Sequence, residues 1–234
     1  MRDDNFYNKV TNSRFYSLGD KIGDMMIMSL LWLVFCIPVV TFIPSTAALY
    51  YTVFRKHEKH SGSPKDDFLR SFKANLKQGI IINIIYILYS RVVAANMFVS
   101  YFGLGNIKLP DFCFPASFIL LIPIIFTMPF VITCLARFEN TTIATFKNGF
   151  TLSTMYLFTT IKIWLICLIS TAVMISFFPS ALLLPPFSMR IIEKMVESIY
   201  KYALNQESNR NNDNTVENNA SMLESEMETN EGLS

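Results

Sequence analysis

The chain has 234 residues, 52% of them hydrophobic and only 16% charged, against about 25% charged in an ordinary soluble domain. Its formal charge of +2 joins two unlike parts: residues 203–234 hold seven acids and one base, net −6, which leaves +8 on residues 1–202. This excludes an ordinary soluble globule and fits a basic membrane domain over residues 1–202, followed by a tail over 203–234 too poor in apolar residues to fold, expected to be disordered.

A hydrocarbon core of about 30 Å takes about 20 apolar residues as a helix. Met25–Ile43 is the first such stretch. Pro38 falls inside it and Pro44 marks its end. Each proline removes a helix hydrogen bond, so a kinked or terminated span is expected here, with a broken-helix site as the functional alternative. Ser45 and Thr46 can then cap a new helix running through Tyr51 and Phe54.

The 44–78 loop that follows carries seven bases, from Arg55 to Lys77. His57 and His60 within it lack the i,i+4 spacing of a zinc helix, so a solvated basic loop attracted to anionic lipid headgroups is the reading, with no metal, no cofactor and no nucleic acid. In Ser61-Gly62-Ser63-Pro64 the serine can N-cap and the proline suits the first helical position. Asp66 and Asp67 fall in the first turn, where the helix dipole favours acids. Phe68, Leu69, Phe72 and Leu76 share one face, as in an interfacial amphipathic helix.

Gly79–Phe102 is the second apolar stretch, and Arg91 stands near its middle. A central charge costs about 2.5–3.5 kcal/mol on insertion scales. Such a residue is expected to face the bundle interior or a wet cavity, either as an anion-recognising group or as a structural arginine bonded near Tyr86, Tyr89 and Ser90. No acid lies inside any expected span to pair with it.

Phe112–Leu135 supplies the third span. Ile143–Phe150 has a second interfacial pattern. Phe158–Met189, with Pro179, Pro185 and Pro186, is too long for one span and short for two. It is read as a pair, 157–175 and 176–190, turning near Ser176–Pro179. Beyond it, Ile191, Ile192, Met195, Ile199 and Tyr202 form an apolar stripe opposite Glu193 and Glu197. The expected fold is therefore an all-α, polytopic integral membrane bundle of about five transmembrane helices (25–43, 79–102, 112–135, 157–175, 176–190) with interfacial amphipathic helices. Positive-inside bias puts the 44–78 loop and the C-terminus in the cytoplasm, and the first 24 residues outside, of a cell membrane.

Leu18-Gly-Asp, Leu31-Trp-Leu, Ile37-Pro-Val-Val-Thr41 and Pro44-Ser-Thr-Ala-Ala-Leu-Tyr-Tyr51 resemble the bacterial YesL family, and Phe68–Gln78 is similar to that family's next characteristic stretch. The resemblance covers about residues 15–80. It departs at Ile43-Pro44-Ser45, where the family tends to Gly-Pro-Ala, and at Ser29, where asparagine is common. It implies a small multi-span membrane protein of unestablished activity, set beside carbohydrate uptake systems, with a carbohydrate transporter component as partner. No G-x-S-x-G, H-E-x-x-H, P-loop or Rossmann glycine pattern occurs, so the chain is read as no enzyme. The expected function is a non-catalytic accessory component. A small transporter or channel with Arg91 lining the pathway is the alternative. Arg91, Pro38, Pro44 and Thr41 are the candidate intramembrane residues.

Overall fold

The computed structural model describes residues 14–58, 62–103, 110 and 112–231. Among these, seven α-helices and two 3₁₀ turns follow one another: α1 (Arg14–Cys36), a turn at Val39–Thr41, α2 (Phe42–His57), α3 (Pro64–Phe102), α4 (Cys113–Arg137), α5 (Thr142–Met155), α6 (Leu157–Ser176), a turn at Phe178–Leu182, and α7 (Leu184–Glu231). The all-helical expectation stands. Three helices, α3, α4 and α6, are long and apolar enough to cross a membrane.

The core is built around α2. Ile43, Ala47, Ala48, Leu49 and Tyr50 are at most 1% exposed, and burying each large aliphatic side chain is worth about 1.5–3 kcal/mol. A helix apolar on all sides belongs inside other helices. It packs chiefly on the first half of α3, and also on α4 and α1. Phe35 of α1 meets the rings of Phe68 and Phe72 of α3 at 5.8 and 4.5 Å. Tyr50 is core and not part of an interfacial aromatic belt, whereas Tyr101 and Phe102 are exposed at the far end of α3.

The first expected stretch, 25–43, is divided between two helices. Helix α1 stops at Cys36 and the chain reverses, because Pro38 has no N–H to continue the ladder. Asp24 pairs with Lys56, the Trp32 indole donates to Thr46, and Ser45 donates to the Phe35 carbonyl. Contacts that close in this order define an antiparallel hairpin. Asp24 and Lys56 therefore lie at the same end, and 25–43 is not one continuous helix. Gly19 and Gly23 lie within α1, and a Cβ at either would meet nothing within 4 Å.

The expected amphipathic helix and second span are one continuous helix, α3, of 39 residues. At 1.5 Å per residue it is about 58 Å long, nearly twice a hydrocarbon core. Ser63 takes the N-cap position and Pro64 the first helical position, but the Ser63 side chain makes no capping bond. The Ser63 carbonyl accepts from the amides of Asp66 and Asp67 instead.

Residues 176–190 are not one continuous helix. The Phe178–Leu182 turn and the start of α7 occupy them, since Pro179, Pro185 and Pro186 fit helix beginnings and not interiors.

The second unit, Lys194–Ser234, is helical as far as Glu231. Residues 203–231 were expected to be disordered. No proline or glycine interrupts them before Gly232, and Glu, Gln, Met and Leu favour helix locally.

Candidate functional site

Breaking α1 at Pro38 leaves carbonyls without helical donors. Three side chains fill them. Thr41 Oγ1 lies 2.6 Å from the Phe35 carbonyl and 2.7 Å from that of Pro38. Ser45 Oγ, fully buried, lies 2.9 Å from the Phe35 carbonyl and 2.7 Å from that of Thr41. Asn83 of α3 donates to the Val39 carbonyl at 2.7 Å. Pro44 sits in the first turn of α2 against Gly79, where an added Cβ would come 2.8 Å from the proline ring. Glycine at 79 is thus required by close approach of α3 to α2.

Pro38, Thr41 and Pro44 are brought together in this reversal, and the geometry gives each a structural task. Because Thr41 and Ser45 both serve Phe35, Thr41→Val and Ser45→Ala are expected to cost less than about 1 kcal/mol singly. Together they strip the carbonyl and cost about 1–3 kcal/mol. Thermal unfolding in detergent measures this, and strictly additive losses would refute the shared role.

At the opposite end of α2 the charges gather. Arg55 lies 3.5 Å from Asp67, which is itself mostly buried. Its guanidinium is held above its ordinary value, first by the hydrogen bond with the Tyr51 hydroxyl and then by the Asp67 charge. Arg137, closing α4, stacks 3.9 Å over the Phe54 ring. His57 Nδ1 donates at 3.1 Å to Glu193, whose side chain is 1% exposed. The other Glu193 oxygen has no hydrogen-bond partner among the described residues. Glu193 was expected on the solvent side of its helix. The imidazole replaces part of the water that the carboxylate has lost, while Ile191 faces outward. His60, the other histidine of the basic loop, lies outside the described residues.

Between these two ends lies a cavity of about 300 Å³, lined mostly by apolar groups, among them Trp32, Leu49, Ile132, Ile163, Trp164 and Met189. Both indole N–H groups are already committed. Trp32 donates to Thr46, and Trp164 donates to the Ile125 carbonyl at 2.5 Å. That carbonyl is free because Pro129, four residues on, has no N–H. The cavity therefore offers aromatic faces and hydrocarbon and few free polar groups.

Arg91 is elsewhere. It is exposed on α3, lines no part of the cavity, and makes no hydrogen bond or ion pair among the described residues. The expectation that it faces the interior is corrected: Gly79, Ile82, Asn83, Tyr86 and Val93 are the buried positions of that stretch, and Arg91 falls on the side of the helix opposite Ile82, Tyr86 and Val93. Sequence reasoning missed Asn83 and Glu193. An asparagine inside an apolar run was a visible signal for the first. Nothing local marks the second, since its partner is 136 positions away.

Fold and packing define an all-helical protein with helices of membrane-spanning type. A family described as "Protein of unknown function, DUF624" matches residues 25–97, the stretch from α1 through the reversal and most of α3. No curated protein and no solved structure matches the chain.

Proposed function

We propose that this protein is a non-catalytic accessory component of a membrane assembly, acting through a neighbouring membrane protein. The observation that carries this reading is the placement of Arg91: the charge in the middle of the α3 apolar run is exposed on the outer side of the helix, where a neighbouring protein would meet it. The YesL resemblance over residues 15–80 overlaps the matched family region and supplies the setting, a carbohydrate uptake system in the cell membrane. The transporter alternative draws no support from Arg91, which stands apart from the cavity.

Sidedness follows the hairpin. Asp24, Lys56, Arg137 and Glu193 all contact the last turn of α2 or its neighbours, so we place the N-terminal segment, the basic loop and the chain at Glu193 together on the cytoplasmic face. The bases before residue 24 then agree with positive-inside bias. In place of five full spans, α3 and α4 make a crossing pair and α6 inserts beside them. Leu184–Glu193 returns the chain over about 15 Å of helix, half a hydrocarbon core.

Affinity purification after crosslinking in native membranes tests the reading. A stoichiometric second membrane protein, specifically a carbohydrate-transporter component, is the expected result. Recovery of this chain alone, or of partners unrelated to transport, refutes it.

A further inference from the structure

On α3 the residues at successive spacings of three and four are all exposed: Ile81, Ile84, Leu88, Arg91, Ala95 and Phe98. This is the 3.5-residue repeat of a helix–helix seam, continuous along the apolar half of the helix. Lipid by itself accounts for its apolar members. It does not account for Arg91, which stands near the centre of the seam, 12 residues past Gly79 and 11 before Phe102. A charged side chain at that depth is normally paired or turned to a wet interior, and Arg91 has no hydrogen bond or ion pair among the described residues.

We propose that this seam docks a transmembrane helix of a different protein, one carrying an aspartate or glutamate at the level of Arg91. The proposal rests on the accessory reading above and names its surface and the chemistry of its partner. A second copy of this chain does not fit. The apolar stretches 79–102, 112–135 and 157–175 contain no acid. Two copies inserted the same way would also set Arg91 against Arg91. A guanidinium offers a planar fork that a carboxylate fills with two bonds. Ala95, one turn beyond Arg91, lets a neighbouring backbone come close.

The test places photocrosslinking residues at Leu88 and Ala95 of the full chain in native membranes and identifies the captured peptide by mass spectrometry. The expected product is a transmembrane segment of another protein containing Asp or Glu. Its yield should fall about tenfold with Arg91→Glu or Arg91→Gln, stay within about twofold with Arg91→Lys, and return when Arg91→Glu is paired with a carboxylate-to-arginine change in the partner. Arg91→Gln keeps the result readable if the reversed charge disturbs insertion. Capture of lipid alone, of a second copy, or of a segment free of acids overturns the proposal, as does a yield indifferent to Arg91. Probes at Ile143 and Phe150, exposed on α5, separate the two failures. A partner captured only there removes the α3 seam and leaves the accessory reading. No protein at either surface removes both.

Discussion

Gly149→Ala is expected to destabilise the fold by about 1–3 kcal/mol, although alanine is the better helix former by about 1 kcal/mol. Gly149 lies on α5 where it crosses α4. A Cβ there would stand 2.5 Å from Val131 Cγ2, and 3.0 and 3.1 Å from the Val131 amide nitrogen and Cα. The methyl group of Val131 can rotate away. The backbone of α4 cannot, because Phe130, Val131, Cys134 and Leu135 are packed at 2% exposure or less, and interiors at crystal-like density transmit strain. Thermal unfolding of the purified protein in detergent should show Tm falling by roughly 2–4 °C for each kcal/mol lost. Gly23→Ala is the control. Nothing lies within 4 Å of its added Cβ, so Tm should hold or rise. Equal Tm values for Gly149→Ala and the parent would show that the two helices are not in contact.

Truncating His57 is expected to cost more than the hydrogen bond it makes. The imidazole is nearly half exposed, so solvent screening limits the pair itself to about 1 kcal/mol or less. Removing it leaves Glu193 buried with neither carboxylate oxygen paired, and an orphaned buried polar group costs about 1–3 kcal/mol, more if charged. The order of stability should therefore be parent, then His57→Ala/Glu193→Leu, then His57→Ala. Restoring an apolar side chain of similar size removes the orphan. The measurement is again unfolding in detergent, read as a double-mutant cycle. A double variant less stable than His57→Ala would mean that Glu193 is held by something other than His57.

Both predictions concern contacts that no local pattern announces. The α4–α5 crossing depends on one glycine whose neighbours, Asn148 and Phe150, read as an ordinary amphipathic turn. The requirement becomes visible only when Val131 is set against it. Glu193 shows the same limit. Its spacing opposite Ile192 and Ile199 argues for a solvated face, and the amphipathic rule assumes one partner surface per helix. Here His57 arrives from another element and makes burial of the carboxylate tolerable.

Arg91 divides the legible from the illegible most clearly. Its position in the middle of an apolar run is read directly from the chain, and so is the shortage of acids to pair with it. Which way it faces depends on the phase of α3, and that phase is decided by Ile82, Tyr86 and Val93 packing inward. Tyr86 is further held by its hydroxyl bond to Thr127 of α4 at 2.8 Å. A run apolar all round has no amphipathic signal from which the phase can be deduced.

The sequence by itself determined the helical class, the apolar α3, α4 and α6, the basic loop, and the proline signals that end α1 and start α2. These are properties of composition and local chain geometry: apolar length, charge count and a missing N–H act within one element. Only the tertiary structure decided that α1 turns back against α2, that α3 runs unbroken from its amphipathic start into its apolar half, and that a 3₁₀ turn and the start of α7 divide 176–190. Each of those depends on where a carbonyl freed by proline finds a donor, or where a glycine admits a neighbouring helix. Those partners, Asn83 for Val39 and Pro44 for Gly79, are more than thirty residues apart in the chain, and only the folded packing brings them into contact.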